Sequence, residues 1–280
     1  MGEYVLTLSC PDRLGIVHAV SGFCVELACN IRDSQQFGDP DTGRFFMRVH
    51  LDGAGGLGEL RAAFTSTAAR FAMDWTLHDC ALRPRVLILV STQDHCLNDL
   101  LYRHRINALP GDLIAIVSNH GTCAPMARSA GIEFHHLPVT AATRSIQEGQ
   151  LLALVEDLDI DLIVLARYMQ ILSPAACAQL DGRAINIHHS FLPGFVGARP
   201  YHQAYQRGVK LIGATAHYVT ADLDAGPIIE QEVARVDHSV SPEQLIAIGR
   251  DLESVALARA VTWHLEHRII LNGSKTVVLR

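Results

Sequence analysis

The chain has 280 residues, 49% of them hydrophobic and 19% charged, with a formal net charge of −6. Apolar content on this scale builds the cores of one or two domains and excludes a disordered chain. The negative balance argues against a nucleic-acid partner held by phosphate neutralisation. Seven cysteines, an odd number without any CxxC spacing, argue against a disulfide framework and for a reducing compartment. No apolar run reaches the ~18 residues of a membrane span. The opening MGEYVLTLSCPDR has neither the basic region nor the apolar core of a secretory signal, so the expectation is a cytoplasmic chain without a membrane partner.

In chain order, residues 4–10 (YVLTLSC) predict a strand, PDRLG a turn, and 16–29 a helix by apolar spacing. Residues 31–37 alternate as a strand does, GDPDTG marks a turn, and 44–51 predict another strand. A helix over 59–71 and a strand over 74–79 complete a βαββαβ order. That order predicts a ferredoxin-like α/β unit with both helices on one face of a small sheet. Near Arg83 the pattern changes. Residues 85–90 (RVLILV), 113–117, 162–165 and 184–187 are almost continuously apolar, as strands covered on both faces are. Helical segments at 97–108, 145–157 and 174–180 lie between them, which predicts a doubly wound, mostly parallel sheet. Strands at 211–219 and 228–236 follow. A last helix opens after Ser241, with Pro242 at its first position and Gln244 completing a capping box, and extends toward 267. The chain divides on this reading into 1–83 and 84–280.

One strand ends in an unusual way. In AINIHHSFLPG the apolar run gives way to Asn186, His188, His189 and Ser190, followed by a bend built from Pro193, Gly194 and Gly197. Ligands of open parallel sheets sit at the C-terminal ends of strands. Strand alternation puts Asn186 and His188 on one face and turns His189 to the other. Downstream, ATAHYVTADLDAGPII ends a second strand near His217 and places Asp222, Asp224 and Gly226 in the loop after it. These are ordinary turn residues, but an Asp beside an imidazole is also a recurring catalytic pairing. HExxH, paired Cys and GxSxG patterns are absent, so the sequence calls for no metal and no nucleophilic serine.

Taken together, NIHHSFLPGFVGARPYHQA and GATAHYVTADLDAGPIIEQE resemble the folate-dependent formyltransferase fold, whose signature is Asn-x-His followed by Ser, Leu, Pro and Gly, with a later Asp-x-Gly. The resemblance runs from about residue 85 onward and implies Asn186, His188 and Asp224 as the catalytic set. It implies a pterin pocket between Met169, Gln170, Ile171 and Leu172 on one side and the loop from Val219 to Asp224 on the other. His189 departs from the pattern, since the transferases usually carry Pro there. YVLTLSCPDRLGIVHAVSGF resembles an ACT domain, which implies an amino-acid effector held at the turn of Asp12, Leu14 and Gly15. The two blocks in this order, with LARYMQILS, resemble the formyltetrahydrofolate deformylase family. That resemblance implies hydrolysis of 10-formyltetrahydrofolate to formate and tetrahydrofolate, no cofactor beyond the folate substrate, and a homo-oligomer, a dimer or tetramer, paired through ACT sheets. Formyl transfer to an amine, or a silent amino-acid sensor, would share these motifs. Against transfer, the stretch from Val86 to Leu101 has no glycine. Ser91, Thr92, Gln93, Asp94 and His95 stand where a phosphorylated amine would need bare backbone N–H groups.

Overall fold

The computed structural model describes residues 2–194 and 200–280, the side chain of Pro200 excepted. Gly197, part of the bend read from the sequence, lies outside the described residues. Two compact units form, one of Met1–Arg83 with Glu266–Arg280 and one of Pro84–Leu265.

The first unit runs β1 (Gly2–Pro11), α1 (Ile16–Glu26), β2 (Asn30–Asp39), β3 (Arg44–Gly53), α2 (Leu57–Phe71) and β4 (Asp74–Asp79). Its four strands pair antiparallel in the order β2-β3-β1-β4. Alternation sorts the strand residues. Tyr4, Leu6, Leu8 and Cys10 of β1 and Phe45, Met47, Val49 and Leu51 of β3 enter one core. Both helices cover that core with residues at helical spacing, Ile16, Val20 and Phe23 from α1 and Leu60, Phe64 and Ala68 from α2. The opposite face carries polar groups such as Ser9 and Arg48, both buried. There the end of the chain contributes. Arg48 Nη2 donates to the Glu266 carbonyl at 3.1 Å, and Asn272 Nδ2 donates to Asp39 Oδ2 at 2.6 Å. Asn272 belongs to a hairpin of Ile269–Asn272 with Lys275–Val278, whose turn residue Gly273 has φ 61°, the left-handed region a two-residue hairpin turn requires. The sequence division had left 266–280 with the second block. Polar partners on the first sheet, invisible to apolar periodicity, draw it to the first.

The second unit runs β5 (Arg85–Val90), α3 (His95–Arg105), β6 (Asp112–Ser118), α4 (Ala124–Ser129), β7 (Glu133–His136), α5 (Arg144–Asp157), β8 (Leu162–Leu165), α6 (Pro174–Gln179), β9 (Ala184–His188), α7 (Pro200–Arg207), β10 (Leu211–Tyr218), β11 (Ile228–Arg235) and α8 (Pro242–Leu265). The sheet order is β11-β10-β9-β8-β5-β6-β7. Strands β5 to β9 are parallel, and β10 and β11 are antiparallel additions at one edge. The unit is therefore the doubly wound, mostly parallel α/β architecture. Leu87 and Leu89 of β5 pack with Leu151 and Val155 of α5, while Val86, Ile88 and Val90 are as deeply buried on the other face. Chain order reverses direction across β5, with β6 on one side and β8 on the other, so a crevice opens at the strand C-termini there. Helix α8 starts with the reciprocal cap read from the sequence. Ser241 N donates to Gln244 Oε1 at 2.8 Å, and Gln244 N donates to Ser241 Oγ at 3.3 Å.

Phe64 anchors the core of the first unit. It is fully buried and meets Phe23 and Trp75 edge-on, each at a centroid distance of 4.9 Å. Phe64→Ala is expected to destabilise this unit by about 3–5 kcal/mol. Urea unfolding followed by Trp75 fluorescence, in a Trp263→Phe background that silences the other unit, measures the loss.

Candidate active site

The polar end of β9 sits between two partners of opposite sense. β8 runs parallel to it, with Leu165 opposite Asn186, and β10 runs antiparallel, with His217 opposite Asn186 and Thr215 opposite His188. The antiparallel register sets Asn186 Nδ2 3.2 Å from His217 Nε2. His217 Nδ1 lies 2.8 Å from the carbonyl of Tyr218. A carbonyl only accepts, so Nδ1 carries the proton and Nε2 is the acceptor. Asn186 must then present its amide nitrogen to His217, and its second N–H remains for another partner. Burial holds the His217 pKa below the ordinary imidazole value, in keeping with this neutral tautomer.

His188 is 5% exposed and directs Nδ1 at Asp224 Oδ1, 3.2 Å away. Its other nitrogen, Nε2, is buried and has no hydrogen-bond partner. Asp224 reaches His188 because the loop after β10 folds back on its own strand. Gly226 makes this possible, since a Cβ there would stand 1.8 Å from the Tyr218 carbonyl oxygen. Asp224 itself has φ 56°. The hydrogen bond from His188, helped by charge, holds the Asp224 carboxyl below its ordinary pKa although burial opposes this. Ser190 is structural, with its Oγ donating to the Gly194 carbonyl at 2.9 Å. Thr215 Oγ1 donates to the Ser190 carbonyl and accepts from Leu192 N, which ties the turn after β9 to β10.

Asn186, His188, His217 and Asp224 line a cavity of about 610 Å³. One half is apolar, walled by Tyr168, Met169, Ile171 and Leu172 on one side and Val219 and Leu223 on the other. Met169, Ile171 and Leu223 are more than half exposed, an apolar rim around an opening. Gln170 lines the same wall. Its backbone is fixed by neighbours, with Met169 N donating to Ser91 Oγ at 2.9 Å and Ser173 N donating to Glu148 Oε1 at 2.7 Å. The other half is polar, walled by Gln93, Arg167, His189, Tyr201 and Glu253.

Comparison with known proteins puts this geometry in a family. A formyl transferase model matches residues 84–261, and an ACT domain model matches residues 4–68. A formyltetrahydrofolate deformylase from Corynebacterium sp. (strain P-1) is 49% identical over 99% of this chain and 98% of its own length. The chain belongs to the formyltetrahydrofolate deformylase family. The crystal structure of a formyltetrahydrofolate deformylase from Burkholderia mallei superposes with a TM-score of 0.95 at 53% identity, covering 100% of both chains. Glycinamide ribonucleotide transformylase 1 from Symbiobacterium toebii superposes with a TM-score of 0.67 at 29% identity, covering 71% of this chain and 95% of its own. This member of the formyltetrahydrofolate deformylase family thus shares the fold of its second unit with transformylases and carries an ACT unit in addition.

Of the residues named from the sequence, Asn186, His188 and Asp224 meet around one point, and Met169, Gln170, Ile171, Leu172 and Val219 wall the same cavity. Asp12, Leu14 and Gly15 form the turn into α1. Leu14 is fully exposed, Gly15 has φ 94°, and α1 has no side-chain cap. His189 differs from its expectation. Alternation turned it away from His188, yet β9 ends at His188 and the bend that follows brings His189 into the same cavity, 5.1 Å from the His188 ring centroid. Burial, with Arg167 nearby, pushes the His189 pKa down to about 4, so it is neutral at physiological pH.

His217, Arg167, Tyr201 and Glu253 were not singled out as site residues, and only His217 and Arg167 had a cue, a place at or just past the end of a strand. Glu253 is 1% exposed, accepts from Tyr201 OH at 2.8 Å, lies 2.8 Å from His95 Nε2 and is paired with Arg167 Nε at 3.3 Å. Burial opposes its ionisation, but the His95 hydrogen bond and the Arg167 charge outweigh that and hold its carboxyl below the usual range. Among the described residues, His95, Cys96 and Glu253 have metal-ligand spacing. Glu253 is already committed to three partners, and burial drives the Cys96 thiol strongly upward, so this set suits an internal ion pair better than a cation.

Gly226→Ala is expected to lift the loop and separate Asp224 from His188. The Asp224 carboxyl would then titrate at higher pH, nearer the ordinary aspartate value of 3.8, in a ¹³C NMR titration. Because pairing lowers the folded-state pKa, the wild-type contact adds stability above the unfolded carboxyl's pKa and loses it as pH falls through the folded value. The variant should show less of that acid-dependent loss in melting experiments across this range.

Proposed function

We propose that this chain hydrolyses 10-formyltetrahydrofolate to formate and tetrahydrofolate, with Asn186, His188 and Asp224 performing the chemistry. The observation that carries the reading is the buried, unpartnered Nε2 of His188 beside a free Asn186 N–H, with Asp224 behind it, facing a cavity whose other half is apolar. The apolar half suits a flat heterocycle. The formyl group at N10 then reaches the polar trio.

The reaction follows from these groups. Water attacks the formyl carbon and gives its proton to the Asp224 carboxylate, which its lowered pKa keeps ionised. The electron pair of the carbonyl moves to the formyl oxygen. Asn186 donates its free N–H to that oxygen, and His188, protonated on both nitrogens, donates from Nε2. Each such donor is worth about 3–4 kcal/mol where water is excluded. The tetrahedral intermediate collapses, the bond from carbon to N10 breaks, and the proton held by Asp224 passes to N10. Formic acid leaves and loses its proton to solvent, so one water is consumed and formate, a proton and tetrahydrofolate are formed. The folate is the substrate, and these steps ask for no further cofactor.

Water rather than an amine is the acceptor on this reading. The N-terminus of α3 follows Asp94, a carboxylate that would repel a phosphorylated amine. Ser91 commits its hydroxyl to Asn119 and Met169 and its backbone N–H to the Arg167 carbonyl. The ACT unit is the seat of an amino-acid effector on the same reading. The uncapped N–H groups of α1 beside Asp12, Leu14 and Gly15 would receive its carboxylate. Pairing of ACT sheets into a dimer or tetramer would suit the edge strand β2. Among the described residues no helix is long and apolar enough to cross a membrane, and a cytoplasmic site of action suits seven free thiols.

Formate and folate products, measured side by side with and without glycinamide ribonucleotide, test the reaction. Formate should appear at the same rate in both. Loss of 10-formyltetrahydrofolate only when the amine is present, without formate, would establish transfer instead. Asp224→Asn should keep the fold and lower turnover by about 10²–10⁴, and near-normal turnover in the folded variant would remove Asp224 from the mechanism.

A further inference from the structure

The polar half of the cavity contains a cation that the reaction above leaves unused. Arg167 is 7% exposed and lines the cavity, yet its guanidinium donates no hydrogen bond among the described residues. Glu253 approaches its Nε edge at 3.3 Å without bonding geometry. Its Nε is buried without a hydrogen-bond partner, a costly state for a donor, and its terminal amino groups are left for the cavity. The backbone points the same way. Arg167 has φ 63°, a left-handed conformation that costs a non-glycine residue about 1 kcal/mol. Hydrogen bonds from Ser91 N to the Arg167 carbonyl and from Ala166 N to the Leu89 carbonyl hold the turn. Strain of this kind survives where a side chain must be aimed.

Its position is set by the sheet. Leu165, the last residue of β8, pairs with Asn186 of β9, and the chain turns out of the sheet at Arg167, two residues further on. Between the His188 ring and the guanidinium stand His189, Tyr201 and Glu253, all on the wall of the same cavity. His189 is neutral and so adds no competing charge.

We propose that Arg167 is the receiving site for the carboxylate product. Formate, once freed from N10, is taken by the terminal amino groups of Arg167 as a planar, bidentate pair, while Glu253 stays on the Nε edge and keeps the guanidinium oriented. The ligand class is a small monocarboxylate, and the half-neutralised guanidinium favours a ligand that leaves again over one held tightly. This inference rests on the hydrolytic reading, because only hydrolysis makes a free carboxylate at that point. The glutamyl carboxylates of the folate have the same chemistry, and the experiment separates them from formate.

The test is a titration of the substrate-free, full-length protein with ¹³C-formate, read by NMR, for wild type, Arg167→Gln, Glu253→Gln and the double variant Arg167→Gln/Glu253→Gln. The double variant removes both charges together and so leaves no unpaired carboxylate buried. Wild type should bind formate saturably. Both variants lacking Arg167 should bind it about tenfold more weakly or not at all, while Glu253→Gln should bind it at least as well as wild type. Equal formate binding with and without Arg167, or no saturable binding to the wild type, overturns the proposal. So does a rise in KM for the folate in the double variant with formate binding intact, which would assign the guanidinium to the glutamyl tail. Formate release from 10-formyltetrahydrofolate by the wild type is measured alongside. A protein that releases formate without binding it at Arg167 loses this inference alone, whereas one that releases none loses the hydrolytic reading.

Discussion

The antiparallel pairing of β9 with β10 is the constraint on which the site depends. The antiparallel register puts His217 opposite Asn186 and brings the chain out beside Ala184, from where the loop after Tyr218 returns Asp224 to His188. Both later features follow from this. The Tyr218 carbonyl fixes the tautomer of His217, and hence the amide of Asn186. The same carbonyl is what Gly226 must approach so closely that no side chain fits, and that approach is what delivers Asp224 to His188. One backbone oxygen therefore orients two of the three polar groups, one through a ring and one through a loop.

Burial sets the electrostatic character of the cavity. His217 and His189 are both kept neutral chiefly by desolvation, so neither competes with His188 for Asp224 as a cation. The charges that remain come as compensated sets. Asp224 is held by His188, and Glu253 by His95 and Arg167 with a further hydrogen bond from Tyr201. An ion pair of this depth adds little net stability over an apolar replacement, but breaking it from one side is expensive. That asymmetry is a reason for the polar half to keep its arrangement through the approach and departure of ligands.

Much of the architecture was legible because burial on both faces writes itself as continuous apolar runs. RVLILV and LIVL map onto β5 and β8 at the same boundaries. What escaped was short or polar. β7 is only EFHH, α7 is PYHQAYQR with few apolar residues, and the final hairpin relies on Asn272 and on contacts of the Glu266 backbone. In the site, Asn186, His188 and Asp224 were legible through motif spacing, because two local segments bring them together. Arg167 and Glu253 were not. One lies at a strand end in LARYMQIL and the other in the middle of a long helix, and only the packing of α8 beside the strand C-termini makes them a pair. His189 misled for a simpler reason, since alternation holds only while the strand lasts.

The return of Glu266–Arg280 to the first unit has a consequence for how the protein is made. The apolar core of that unit draws only on residues up to Leu77, so it can assemble as soon as the first part of the chain has been synthesised. The polar face of its sheet cannot be finished then, because Asn272 and the Glu266 carbonyl follow Pro84–Leu265 in the chain. Arg48 and Asp39 must stay hydrated while the whole of Pro84–Leu265 is added and folds. The unit that begins before Pro84–Leu265 is thus completed after it, and its outer face is sealed only once that second unit has been made.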